Sequence, residues 1–332
     1  MDGRSLGTTG LSVSPIGLGL AALGRPGYVN LGHAHDLAGQ YDVAVMEQRT
    51  HQVLDVAWDA GIRYFDTARS YGRGEDFLGS WLQSRQFAPT DLVIGSKWGY
   101  TYTADWQVAA DVHEVKEHSA ARLRVQWQST TTHLGEYLNL YQIHSATLDS
   151  GVLDNEEVLA DLTLLKKKHG IGIGLSLSGL DQSEVLRRAL TITSDGERLF
   201  DVVQATWNVL EPSVGVVLQE AHAAGMGVII KEALANGRLT TRNTDPAFAD
   251  QLSLLQRHAD RLHTTVDALA LAAVLRQPWA DVVLSGAATV EQLQANVQAL
   301  QVTLDDEALA ALDALVESPE VYWTTRRSLR WN

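Results

Sequence analysis

Apolar positions along the chain follow two alternating patterns. Short runs rich in Val, Ile, Leu or Tyr occupy 14–19, 62–66, 92–97, 138–144, 171–176, 202–206, 228–231 and 282–285, and read as strands. Between and after them, apolar residues recur at helical spacing over 46–60, 75–83, 108–131, 156–168, 182–190, 214–224, 266–275 and 290–300. Strands that are apolar on both faces, each followed by a helix, predict parallel pairing with right-handed crossovers. The same alternation fits a doubly wound open sheet. Eight repeats favour closure into a (β/α)8 TIM barrel.

The remaining segments complete this picture. Residues 4–13, with Gly7 and Gly10 between short extended pieces, predict an N-terminal β-hairpin capping the barrel floor. Residues 24–45 are Gly-rich, contain Pro26, and read as a loop long enough to cover a ligand. Beyond the last strand, 305–316 predicts an extra C-terminal helix, and 317–332 a tail carrying Tyr322, Trp323 and Trp331. With no linker or further repeat, the 332 residues read as a single domain.

Composition narrows the chemistry. A net charge of −14 opposes nucleic acid, whose binding depends on clustered cations. The absence of cysteine excludes disulfides, thiolate metal sites and a cysteine nucleophile. The first residues lack a secretory pattern and no apolar run is long enough to span a membrane, so a cytoplasmic protein without membrane contact is expected. Oligomeric state is not legible.

Three successive predicted strands end in an ionisable residue: Asp66, Lys97 and His144. Adjacent strands bring these side by side at the C-terminal mouth, where barrel active sites are assembled. Tyr71 lies five residues after Asp66 in a turn-rich stretch and can fold back over the same mouth. A phenol has a reference pKa of about 10, and a nearby ammonium is expected to draw it down. Lys97 would supply that charge, Asp66 would hold Lys97, and His144 would orient a substrate oxygen. The set suits proton donation to an oxygen gaining negative charge, as in hydride addition to a carbonyl. Each residue alone has an ordinary structural reading, as a helix cap, a turn residue or a core histidine.

At these residues the sequence resembles the aldo-keto reductase family. The stretch GIRYFDTARSYGRGEDFLGSWL contains Asp66 and Tyr71, while VIGSKWG and LNLYQIHS contain Lys97 and His144. The likeness extends from RSLGTTGLSVSPIGLG to SGAATVEQLQANVQAL. It implies a (β/α)8 barrel that reduces aldehydes or ketones with NADPH, and assigns the four residues as the catalytic set. It also implies that Ser176 and Gln204 hold the nicotinamide carboxamide. The segment 231–239, with Lys231, Glu232, Leu234, Asn236, Gly237 and Arg238, would then lie near the pyrophosphate, and Gly286, Ala287, Gln292 and Asn296 near the adenosine. Gly19 and Ala21 would let the cofactor approach the rim.

The chain departs from the family at several positions. Leu177 replaces a frequent Asn, and Lys231 stands where many members stack an aromatic ring on the nicotinamide. Gly286, Ala287 and Gln292 stand where many carry Lys, Ser and Arg for a 2′-phosphate; Arg238 or Arg242 could substitute if their loop folds over. The resemblance favours NADP(H) and leaves NAD(H) open. Tyr28, Trp98, Tyr100 and Trp323 are candidates to line a pocket for a small-molecule carbonyl substrate, or alternatively to pack their loops.

Rival readings remain at this point. GLGLAA at 17–22 fits a dinucleotide fingerprint, but Gly24, Pro26 and Gly27 follow where a helix must open. His33, His35 and Asp36 suggest a metal-dependent barrel hydrolase, though in a Gly-rich loop rather than on a strand. An NAD-dependent sugar or alcohol dehydrogenase, and a nucleotide-sensing regulatory subunit, complete the alternatives.

Overall fold

The eight expected strands form one closed parallel barrel in a computed structural model that describes Met1 and residues 3–332. They are β1 (Ile16–Gly19), β2 (Tyr64–Asp66), β3 (Val93–Trp98), β4 (Leu138–Ala146), β5 (Gly172–Leu177), β6 (Val202–Thr206), β7 (Gly227–Lys231) and β8 (Val282–Ser285). Neighbours in sequence are neighbours in space, and β8 pairs with β1 through Val283↔Ile16 to Ser285↔Leu18, which closes the ring. The outer helices are α1 (Val43–Asp59), α2 (Gly74–Arg85), α3 (Ala120–Leu134), α4 (Glu156–His169), α5 (Gln182–Thr191), α6 (Gly215–Ala223), α7 (Val266–Leu275) and α8 (Val290–Gln298).

Strand side chains alternate between the barrel interior and the helix layer. Tyr64, Val93, Leu140, Val202, Ile229 and Val282 form a buried cluster with Leu6 and Val13 of the antiparallel hairpin Arg4–Ser5/Ser12–Val13. That hairpin therefore seals the floor. The other end of the strands stays open to loops, and there the polar strand-end residues meet.

Several boundaries differ from expectation. The helix expected over 108–131 begins only at Ala120, capped by Ser119, whose hydroxyl accepts from Arg122 N. Upstream, Glu114–Lys116 pairs antiparallel with Tyr100–Tyr102 in a ribbon above the mouth. The long loop after β1 contains the short helix His33–Leu37. Helix Ala249–Arg261 precedes α7, and the expected tail holds helix Pro319–Ser328. The last has a legible start, with Ser318 capping Val321 N and Pro319 in the first turn.

Candidate active site

Asp66 and Lys97 lie at the ends of β2 and β3, and both are essentially fully buried. The Lys97 ammonium donates to Asp66 Oδ1, to Thr67 O at 3.0 Å and to the Tyr71 hydroxyl at 3.4 Å. Asp66 Oδ2 accepts from Gln204 Nε2 at 2.9 Å, Tyr64 Oη at 3.2 Å and Gln142 Nε2 at 3.4 Å. The carboxylate is thus held on every side by strands of the barrel, and it fixes the ammonium in turn. A buried charge persists only with such compensation.

Tyr71 is set by its loop. Arg73 N donates to Gly24 O at 2.7 Å, and Arg25 Nη1 donates to Ser70 O at 3.0 Å, so the segment after β1 grips the segment after β2. A Cβ on Gly24 would stand 2.3 Å from Tyr71 O, which explains glycine at that position. Glu75 anchors the other side of the loop, pairing with Arg69 and accepting from Ser96 Oγ at 2.6 Å and Thr130 Oγ1 at 2.8 Å.

His144 faces Tyr71, with ring centroids 5.5 Å apart and nearly perpendicular planes. The register of β4 against β5 breaks between Ile143 and Ala146, and Ser145 adopts φ 52°. This irregularity re-aims the strand end toward the mouth. Burial, and after it the cations Lys97, Lys231 and Arg25, hold the imidazole well below its usual pKa, so it is neutral.

The phenol departs from the expected direction. Burial first, and then the Asp66 carboxylate, push the Tyr71 pKa far above its usual value. The ammonium is close, but it is already matched by Asp66 and does not reverse the effect of desolvation. Tyr71 is therefore a protonated donor, not a pre-formed phenolate.

These groups end one cleft of about 300 Å3. Among its lining residues are Gly19, Ala21, Tyr28, Asp66, Tyr71, His144 and Gln204. Lys231, Glu232, Leu234, Asn236 and Gly237 continue the wall, and Gly286, Ala287, Gln292 and Asn296 complete it. Lys97 stands behind Asp66 and Tyr71. Ser176 is also behind the surface, its hydroxyl accepting from Ser145 N at 2.8 Å. Gln204, expected to hold a ligand amide, directs its own amide at Asp66.

Four other expected positions do not line the cleft. Trp98 is fully buried in the barrel–helix core, and Trp323 packs with Leu210, Leu239 and Tyr322 in a second cluster. Both are core residues because their strand or helix turns them inward. Tyr100 sits on the ribbon and packs at 4.9 Å on the His144 ring. Arg238 points away from the cleft and forms a bidentate pair with Glu317, one bond at 3.0 Å, so it is not available to a ligand phosphate.

Other cleft residues were not anticipated. Arg25 donates to Glu114 Oε2 at 3.0 Å, and its guanidinium lies 4.7 Å from the Trp331 ring centroid and 5.2 Å from that of Tyr71. Arg326 pairs with Glu232 at 2.6 Å. Burial alone would raise Glu232, but Arg326 and Lys231 outweigh it and hold the carboxyl at about 2. Burial pulls Lys231 down to about 8 despite Glu232. These partners come from segments distant in sequence, and periodicity gives no signal for them.

The rival readings meet the same geometry. No helix follows β1 until His33, so 17–22 opens no dinucleotide-binding helix. His33 is fully buried with neither ring nitrogen hydrogen-bonded, and Asp36 pairs with Arg242 at 2.6 Å. Among the described residues no three His, Asp or Glu side chains converge as a metal site.

Residues 15–317 match the model of the aldo/keto reductase family. The chain belongs to this family. It is 25% identical to the L-galactose dehydrogenase of Arabidopsis thaliana, over 95% of this chain and 94% of that one. It is 26% identical to the NADH-specific methylglyoxal reductase of Escherichia coli, over 95% and 98%. The holo form of aldo-keto reductase AKR11C1 from Bacillus halodurans superposes with a TM-score of 0.72 at 23% identity, covering 96% and 97%, and supports the fold. Membership makes this aldo/keto reductase an oxidoreductase of carbonyl or alcohol substrates that works with a nicotinamide cofactor. No helix among the described residues is long and apolar enough to cross a membrane.

Proposed function

We propose that the enzyme reduces an aldehyde or ketone to the alcohol, with Tyr71 as proton donor. The observation that carries this reading is the buried Asp66–Lys97 pair set against a protonated Tyr71, with neutral His144 beside it at one end of a long cleft. A reduced nicotinamide dinucleotide, when bound, supplies the hydride.

The residues present fit such a group. Along the cleft, Asn236 Oδ1 and Gln292 Nε2 are buried without hydrogen-bond partners, and a Cβ on Gly286 would meet nothing within 4 Å. Unmatched polar atoms of this kind are expected where a ligand completes them. Gly19 and Ala21 would flank the ring, Lys231 through Gly237 the pyrophosphate, and Gly286, Ala287, Gln292 and Asn296 the adenosine. Gln204 and Ser176 act on the ring end indirectly, by holding Asp66 and the bulge after His144.

His144 and Tyr71 bracket a carbonyl oxygen at the inner end. The neutral imidazole offers a hydrogen bond without competing for the proton. An alkoxide is a far stronger base than a phenolate, so the developing oxyanion takes the Tyr71 proton although the phenol is a weak acid. The Lys97 ammonium, 3.4 Å from that hydroxyl, then stabilises the phenolate. Tyr28, Arg25, Glu114 and Trp331 form the substrate side, in place of the expected Trp98 and Trp323.

Consumption of reduced cofactor is to be followed with a panel of small aldehydes. Tyr71→Phe should lower kcat by about 10²–10⁴-fold while leaving cofactor affinity unchanged. Unchanged turnover would overturn the assignment. Relatives named for sugar oxidation and for methylglyoxal reduction support testing both directions.

A further inference from the structure

The catalytic groups close one end of the cleft, so a dinucleotide whose ring meets Tyr71 must send its adenosine to the other end, where the first turns of α7 and α8 lie side by side. That end is assembled from Thr240, Arg242, Asp267, Leu271, Gly286, Ala287, Gln292 and Asn296, and what distinguishes it is the charge of its members. The cation here is Arg242, and Asp36, with its side chain 2% exposed, already binds it at 2.6 Å. Loop closure fixes the pair: Leu31 N donates to Asn236 O at 3.0 Å, holding the segment with Asp36 over the segment with Arg242. A second carboxylate, Asp267, lines the same end, where burial raises its pKa and the Arg242 charge opposes that rise. The other polar groups are neutral hydroxyls and amides. Gln292 uses Oε1 to accept from Ala288 N at 2.8 Å and leaves Nε2 buried and unpartnered, and Asn296 Nδ2 donates to Ser285 Oγ at 2.8 Å.

We infer that this end selects the unphosphorylated cofactor, NAD(H), with Asp267 as the discriminating residue. The inference rests on the cofactor reading above. Two carboxylates against one guanidinium leave a net negative charge, which repels a 2′-phosphate and accepts ribose hydroxyls as donors. A phosphate is best held by a guanidinium not already neutralised, and Arg242 is matched through Nη1 by the Asp36 carboxylate while Arg238 has both arms on Glu317. This departs from the preference that family resemblance suggests, for a reason specific to these side chains.

The test is equilibrium binding, read from the fluorescence of the nine tryptophans, with NADH and NADPH and then with the fragments AMP and 2′,5′-ADP, which report the adenosine end alone. The wild-type protein should bind NADH at least tenfold tighter than NADPH, and Asp267→Asn should shrink that ratio at least fivefold. The conservative Asp267→Glu should keep the ratio within twofold. Equal affinity, a preference for NADPH, or a ratio unmoved in Asp267→Asn overturns the inference while leaving the catalytic end as described. Binding of neither dinucleotide overturns both readings.

Discussion

Replacing Lys97 with Met removes the ammonium while keeping most of the side-chain volume. Asp66 would then stand in the barrel with its side chain 2% exposed and Oδ1 unmatched. Its other oxygen keeps Gln204 at 2.9 Å, but Tyr64 and Gln142 at 3.2 and 3.4 Å are long and contribute less. Breaking one side of a buried ion pair costs about 3–5 kcal/mol, because the remaining charge is neither solvated nor paired. Urea unfolding followed by tryptophan fluorescence should show that loss. The double variant Lys97→Met/Asp66→Asn should recover at least about 1 kcal/mol of it, since the orphaned charge is gone. Turnover should stay at least about a hundredfold low in both, as neither can stabilise the phenolate. A single-variant loss below about 1 kcal/mol, or a double variant no more stable than the single, would refute the account of Asp66 as a buried carboxylate held by Lys97.

Gly24→Ala places a Cβ 2.3 Å from Tyr71 O and 2.7 Å from Gly74 N, backbone atoms that cannot rotate away, so kcat should fall while dinucleotide affinity in a fluorescence titration holds; an active variant would show that the loop is free to move. Lys231, with a pKa of about 8, is cationic below that pH and neutral above it, so affinity for the anionic dinucleotide should drop as pH rises through 8, and the inflection should vanish in Lys231→Met. Burial holds His33 at about 4, against 6.5 when unfolded, so the unfolded chain takes up the proton first: its stabilising contribution is complete above pH 6.5 and lost as pH falls toward 4. The loss is on the order of 3 kcal/mol, and denaturation midpoints should depend less on acid in His33→Phe.

What the sequence made legible follows from which interactions are local. Eight strands were readable because a strand buried on both faces must be apolar, and Asp66, Lys97 and His144 stood out against that background. The start of α3 differs from its helical period because 108–119 carries enough apolar residues for one, yet Glu114–Lys116 finds a partner strand at Tyr100–Tyr102 that no period announces. Trp98 and Trp323 read either as pocket-lining or as packing residues, because aromatic residues near a mouth can serve either role. Their direction depends on the parity of β3 and the facing of helix Pro319–Ser328, which packing decides. Arg25 gave no signal at all, being one basic residue in a glycine-rich loop.

The ion pairs of the cleft share a physical pattern. Three charge pairs of the cleft join different loops: Arg25 with Glu114, Arg242 with Asp36, Arg326 with Glu232. Such half-buried pairs add little net stability, since desolvation offsets most of the attraction. Their effect is on geometry. The loop after β1 is tied through Arg25 to the ribbon and to Tyr71, and through Asp36 to the loop after β7, whose Glu232 holds helix Pro319–Ser328. A charge placed without its partner would be costly, so the loops settle where all three pairs close together. The position of Tyr71 relative to the cleft is thus set jointly by segments that a linear reading treats as independent. The barrel supplies Asp66, Lys97 and His144 from rigid strand ends, whereas the walls of the cleft exist only once the loops have found one another.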